Sequence, residues 1–292
     1  MRTWAGALGR EESGGSMREL SDRVAVVTGA ARGIGRALAL ELAREGMHLM
    51  LADVDPAALG SVAREVEALG RRACVSRVDV RELSGLEGLL RDTLRELGRC
   101  DLVCNNAGVF HGAALLDTPS DQWERVLETN VWGVIHGCRV FGAHFVQQGH
   151  GHIVNTASAA GLFPVPGMSA YSTSKYAVVG LSMQLRWELA SAGVGVTLLC
   201  PGVVRTGIAY AEGVGLSHLD RELEKALARS PGPEGLAKKA VRAIRKDRPL
   251  VRYGADSYVF SLLRVLPLWL VDPFGRYLGW KALRIVRGEE KP

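Results

Sequence analysis

The first 174 residues of this 292-residue chain hold seventeen arginines and not one lysine; the first lysine is Lys175. A position that breaks so long a habit asks for a compact ammonium rather than a planar guanidinium. Paired cysteines are missing as well. Cys74, Cys100, Cys104, Cys138 and Cys200 are odd in number and form no C-x-x-C pair, which argues against a disulfide framework and a zinc site. A reducing, cytoplasmic location is expected. The seven histidines lack metal-ligand spacing, so no metal is expected, and His150 and His152, either side of a glycine, read as surface polar residues. Long apolar runs are also absent: Val265–Val271, between Arg264 and Asp272, is far short of the roughly 20 residues a membrane span needs. Residues 1–20 have no apolar core of the signal-peptide kind and read as a disordered extension rich in Gly, Ser and Glu, with Met17 an alternative start.

What is present is ample apolar content, 47%, in a pattern of alternating short β-branched runs and amphipathic stretches. That pattern predicts an α/β fold: one doubly wound domain over residues 21–255, with a seven-stranded parallel sheet, helices on both faces and a helical C-terminal extension over residues 256–292. The predicted strands are Val24–Thr28, His48–Ala52, Ala73–Val78, Leu102–Asn105, His152–Thr156, Gly195–Cys200 and Leu250–Tyr253. Asp55-Pro56 and Thr118-Pro119 each place a capping side chain before a proline at a first helical position, predicting helices that reach about Leu69 and Gln147. Further helices are expected over Ser84–Leu97 and Ala170–Ser191. No repeat or linker divides residues 21–255.

Tyr171 and Lys175 stand one turn apart on the last of these helices, so their head groups meet on one face. An ammonium roughly 4 Å from the phenol oxygen, at an effective dielectric near 20, favours phenolate by about 4 kcal/mol. At about 1.36 kcal/mol per unit, a phenol of about 10 moves towards 7, the range of a working acid/base.

The first strand runs into Thr28-Gly29-Ala30-Ala31-Arg32-Gly33-Ile34-Gly35 and then directly into a helix. Glycines there allow a tight turn and close backbone approach, while the free N–H groups of the helix start face a pyrophosphate. Asp53, 18 residues beyond Gly35 at the end of the second strand, is suited to the adenosine ribose diol and repels a 2′-phosphate. This favours NAD. Arg32, beside the loop, pulls towards NADP, which therefore stays open.

The spacing T-G-x-x-x-G-x-G over Thr28–Gly35 resembles the short-chain dehydrogenase/reductase superfamily, and the chain then answers in order. Asp79-Val80 ends the third strand, Asn105-Asn106-Ala107-Gly108 follows the fourth, and Asn130 lies in the next helix. Ser158 follows the fifth strand, Tyr171 to Lys175 matches Y-x-x-x-K, and Pro201-Gly202 with Thr206 follows the sixth. The resemblance covers about residues 20–210. It implies an NAD(P)-dependent oxidoreductase interconverting a secondary alcohol and a ketone, with Tyr171 as acid/base. Lys175 would lower the tyrosine's pKa and hold the nicotinamide ribose, and Ser158, thirteen residues before Tyr171, would bond the substrate oxygen. Asn130 would seat a water relay; taken alone, it reads as a buried asparagine bonding backbone in mid-helix. The resemblance further implies Asp79 and Val80 at the adenine, Asn106, Ala107 and Gly108 along the nucleotide, Val204 at the carboxamide and Thr206 near the phosphates.

The net charge of +5 is uneven: residues 221–292 carry sixteen Lys/Arg against eight Asp/Glu. The tail Ser257–Arg287 mixes arginines with Phe260, Leu262, Trp269, Phe274, Tyr277 and Trp280, apolar surface that its own domain, another subunit or a membrane interface must cover. Gly207–Leu219 reads as a lid. Tail and lid suggest a lipophilic substrate resembling a steroid, retinoid or long-chain compound. A ketoacyl-thioester reductase and a non-catalytic nucleotide-binding regulator are the alternatives. Nucleic acid is not expected, because no binding motif accompanies the basic residues. In the family, helices matching Thr118–Gln147 and Ala170–Ser191 pair with a neighbour, which implies a homodimer or homotetramer.

Overall fold

The computed structural model describes residues 17–206 and 230–286. Seven parallel strands form one sheet: β1 (Val24–Thr28), β2 (His48–Asp53), β3 (Ala73–Arg77), β4 (Leu102–Asn105), β5 (Gly151–Thr156), β6 (Val194–Pro201) and β7 (Leu250–Tyr253), in the order β3-β2-β1-β4-β5-β6-β7. Helices α1 (Gly33–Arg44), α2 (Pro56–Ala68) and α3 (Leu83–Leu97) cross between the first four strands. They are followed by α4 (Ser120–Leu127), α5 (Gly133–Gln148), α6 (Ser169–Leu189), α7 (Pro233–Arg245), α8 (Ala255–Leu263) and α9 (Leu268–Val286). The predicted strands all form.

Both faces of a parallel sheet are covered by crossover helices, so its central strands read as unbroken apolar runs. β1, β4, β5 and β6 are buried along their whole length, while the edge strands β3 and β7 are half open. One core lies under α1, α2 and α7 and includes Leu38, Leu42, Leu59 and Ile244; the other lies under α3, α5 and α6 and includes Leu86, Phe141, Phe145 and Val178. The strand order reverses between β1 and β4, which opens a crevice at the carboxyl ends of the strands, where ligands bind in such sheets.

Asp55 caps α2 as expected, accepting from the N–H groups of Ala57 (3.1 Å) and Ala58 (3.3 Å). Thr118 does not cap its helix. Pro119 occupies the cap position, and the threonine hydroxyl instead donates to the Ala114 carbonyl at 2.7 Å. Nor is the helix that follows continuous: α4 and α5 are joined by a π-helical turn, Glu128–Trp132. His152 is not a surface residue but fully buried inside β5, its Nε2 2.9 Å from Thr197 Oγ1 on the neighbouring strand. Met17 and Leu20, read from sequence as part of the extension, pack into the core beside α1. Residues 1–16 and the lid expected at Gly207–Leu219 lie outside the described residues.

Candidate active site

The loop after β1 is built for close approach. Gly29 and Gly33 take φ values of +64° and +55°, a region L side chains avoid, and a Cβ on Gly35 would fall 2.0 Å from the Gly29 carbonyl oxygen. At the start of α1, Arg32 has extended backbone and makes no capping bond, and the first turn holds no acidic residue. An uncapped helix start with no acidic residue in its first turn fits an anionic phosphate. Ile34, the second residue of α1, packs its side chain against the core. At the end of β2, the Asp53 carboxylate accepts from Ala31 N at 3.1 Å and from Asp55 N at 3.2 Å, which ties it to the loop's rim. Arg32 is exposed. Together the glycine cradle, the free helix start and the rim carboxylate fit a dinucleotide.

Three strand ends are stitched beneath this loop. Buried Thr28 donates its hydroxyl to Cys104 O (3.2 Å) and accepts from the N–H groups of Asn106 (3.0 Å) and Ala107 (3.1 Å). Asn106 donates its amide to the carbonyls of Thr28 and Gly29, and its oxygen accepts from Thr156 Oγ1 at 3.3 Å. β1, β4 and β5 thereby hold one relative height.

On the other side of the crevice, Ser158 follows β5 and opens a short 3₁₀ turn, Ala159–Gly161; its hydroxyl accepts from Ala160 N at 3.1 Å and reaches Pro201 O at 3.5 Å. Lys175, buried in α6, donates to the Thr156 carbonyl at 3.1 Å, with its nitrogen 5.6 Å from the centre of the Tyr171 ring. The Phe110 ring meets Tyr171 edge-on, centroids 5.0 Å apart. Asn130 lies in the π-helical turn, fully buried. Its oxygen accepts from Val109 N (2.8 Å), and its amide donates to Val109 O (2.9 Å) and Ser174 Oγ (3.1 Å). A Cβ on Gly108 would stand 3.2 Å from that oxygen and 3.5 Å from Lys175 Nζ, so glycine there lets asparagine, lysine and the N-N-A-G loop converge. Ser158, Tyr171, Lys175 and Asn130 are thus brought together at the carboxyl edge of β4 and β5.

Charge balance in this cluster differs from the expectation of a phenol drawn down by its lysine. Burial pushes the Tyr171 phenol above its ordinary value, with a hydrogen bond from Ser158 opposing it. Burial also lowers the Lys175 ammonium from 10.5 to about 8, and the Cys200 thiol pulls weakly the other way. The physical reason is desolvation: a site closed off from water disfavours both ions, and among the described residues no carboxylate beside the lysine compensates.

The two remaining groups of predicted residues sit at the crevice's ends. Asp79, after β3, is held below the ordinary carboxylate range by its hydrogen bonds to Arg81, which outweigh burial. Val80 is buried against Gly133 at the start of α5. After β6, Val204 is buried and Thr206 approaches Gly33 of the first loop.

A family model described as short chain dehydrogenase matches residues 23–213, the stretch that carries every one of these groups. The chain belongs to the short-chain dehydrogenase family. Among curated proteins, the "probable oxidoreductase EphD" of Mycobacterium tuberculosis is 39% identical over 272 residues, covering 89% of this chain and 46% of that protein. The chain therefore spans about half that relative's length. The "3beta-hydroxysteroid dehydrogenase 2" of Eggerthella lenta is 32% identical over 75% of this chain and 79% of its own length. A crystal structure of a family member from Burkholderia phymatum in complex with NAD superposes with a TM-score of 0.81 at 35% identity, covering 88% of this chain and 97% of that one.

Residues outside the sequence motifs also build the site. Asp256, in the first turn of α8, accepts from Val203 N at 2.7 Å, and a Cβ on Gly202 would fall 1.8 Å from its carboxylate. Its neighbour Ser257 donates to Cys200 O at 2.6 Å, and Gly202 N donates to Tyr253 O at 2.8 Å. The start of the C-terminal extension therefore clamps the turn after β6. Asn155 belongs to a second buried set, bonding Asn105 (2.9 Å) and Ser182 (3.0 Å) beneath the catalytic candidates. The glycine at 202 was the one local hint of Asp256; nothing adjacent to Asn155 marked it.

Proposed function

We propose that this chain is an NAD-dependent oxidoreductase that interconverts a lipophilic secondary alcohol and its ketone. The observation that carries this reading is the convergence of Ser158, Tyr171 and Lys175 at the sheet's carboxyl edge, beside a glycine loop and an uncapped helix start. Gly29, Gly33, Gly35 and the α1 start would hold the pyrophosphate and Asp53 the adenosine ribose, with Thr206 near the phosphates. Lys175 and the turn from Pro201 to Val204 would hold the nicotinamide end. A bound nicotinamide supplies or accepts the hydride.

The chain's own groups handle the proton. In the oxidation direction, the substrate hydroxyl loses its proton to Tyr171 Oη as the C–H hydride departs. In reduction, Tyr171 returns a proton to the carbonyl oxygen. The Ser158 hydroxyl donates to that oxygen as negative charge develops on it, and the fixed position of a preorganised donor makes the bond count most in the transition state. Lys175, as an ammonium, favours the phenolate left by proton transfer. A lipophilic substrate is supported by the apolar rings of Phe110 beside Tyr171 and of Phe163 against Phe260, and by the steroid-active relative. The NAD preference is supported by Asp53 at the loop's rim and by the NAD-bound family structure.

The test is a panel of secondary alcohols, steroids among them, with NAD or NADP, followed by absorbance of the reduced nicotinamide. Turnover with NAD that disappears in Tyr171→Phe, while NAD still binds, is the expected result. Full activity in Tyr171→Phe removes the mechanism, binding without turnover on any substrate indicates a regulator, and a strong NADP preference indicates that Arg32 outweighs Asp53.

A further inference from the structure

We propose that the exposed face of α9, with the turn that leads into it, docks on an anionic lipid surface. The apolar residues here are unusually open: Val265 is 75% exposed, Leu268 77% and Trp269 75%. Helical spacing from Trp269 through Pro273, Tyr277 and Trp280 to Arg284 sets aromatic and basic groups on one side of the helix, with Leu270, Phe274 and Lys281 alongside. Tyr277 and Trp280 stack at 6.4 Å between centroids, and the Arg284 guanidinium lies over Trp280 at 4.9 Å. Large apolar and aromatic side chains left this open, together on one side of a helix, mark an interaction surface.

Charge selects the occupant. Arg264, Arg276, Lys281 and Arg284 face two acidic residues over residues 255–286, and both acids are engaged: Asp256 by Val203 N and Asp272 by Arg276. The whole quarter from residue 221 carries sixteen basic against eight acidic residues. A second copy meeting this face symmetrically would bring its cations against their like. An anionic bilayer interface satisfies both components, because rings lie at headgroup depth while Lys and Arg heads reach the phosphates. Among the described residues no helix is long and apolar enough to cross a membrane, so the contact is with the surface. The inference stands apart from the oxidoreductase reading, since the aromatic and basic side chains of α9 are not among those that build the crevice.

Sedimentation of the full chain with vesicles tests it, using phosphatidylcholine alone and phosphatidylcholine mixed with phosphatidylglycerol. The expected result is co-sedimentation with the anionic vesicles, weakened at least tenfold by high salt and by Trp269→Glu with Trp280→Glu. Those substitutions change exposed side chains, so a thermal midpoint equal to wild type accompanies the loss. Arg276→Glu with Lys281→Glu gives a second reading through charge alone, again with at least tenfold weakening. The proposal is overturned if the wild-type chain stays in the supernatant with anionic vesicles, or if it binds neutral vesicles equally well. It is also overturned if, without lipid, Trp269→Glu abolishes a concentration-dependent dimer, which would make a second copy the occupant.

Discussion

At Lys175 burial and chemistry pull against each other. The ammonium is packed among backbone and ring, with the Thr156 carbonyl at 3.1 Å, and its pKa falls from 10.5 to about 8. In the unfolded chain this lysine keeps its proton up to about 10.5, whereas in the folded one it releases it near 8. The unfolded state therefore binds more protons between those values, and the lysine's contribution to stability rises with pH across that window, by up to about 3 kcal/mol. Buried thiols act oppositely: burial raises Cys104, Cys138 and Cys200 to about 12, so stability falls above their ordinary 9. Comparing wild type with Lys175→Met cancels Cys104 and Cys138, which do not interact with the lysine, and leaves Cys200 as a smaller correction. Denaturant unfolding at pH 8 and pH 10.5 is expected to show wild type gaining on the variant by about 3 kcal/mol; a pH-independent difference contradicts it. The same variant is expected to lose turnover.

Two short elements do most to position the crevice. The π-helical turn Glu128–Trp132 drops Asn130 inward, where its amide closes both backbone groups of Val109 and steadies the loop after β4. π turns of this kind recur at functional sites because one extra residue re-aims a side chain. The first turn of α8 is the other such element, since Asp256 binds Val203 N beside Gly202. Replacing Asp256 by alanine removes a charge-assisted bond and is expected to cost about 1 kcal/mol of stability. It is also expected to raise the NAD KM several-fold with kcat changed less, and Asn, whose amide oxygen still accepts, restores most of the affinity. Equal kinetics in all three proteins would leave Asp256 without a role in the turn. The continuous helix expected from the Thr118-Pro119 start to Gln147 missed the π turn, because the partner of Asn130 in that turn is Val109 on another loop. Asp256 was illegible for a similar reason: its partner lies 53 residues earlier in the chain.

At the scale of the whole molecule, the exposed apolar side chains among the described residues include those of two faces. One is the aromatic and basic face of α9. The other runs over the π turn, α5 and α6, where Trp132, Val146, Tyr176, Met183 and Trp187 are exposed, Trp187 by 68%. Pairing of this second face with a neighbour, as the family resemblance implies, predicts that Trp187→Glu shifts a dimer or tetramer to monomer in analytical ultracentrifugation, with the fold retained. An unchanged mass contradicts that pairing. Asn130, Tyr171 and Lys175 hang from the inner sides of the same helices, so loss of the neighbour is also expected to reduce activity.

Strand and helix order, the glycine loop and the Tyr171 and Lys175 pair were legible in the sequence itself, because each depends on residues adjacent in the chain or one turn apart; Ser158, thirteen residues before Tyr171, was legible only through the family resemblance. β-branched runs set the strands, and glycine beyond β1 left room for a close turn. The protonation balance at Tyr171 and Lys175, the π turn that orients Asn130 and the clamp by Asp256 were decided only by the tertiary structure. Desolvation depends on everything packed around a charge, and a hydrogen bond between distant segments exists only once folding has brought their partners within reach.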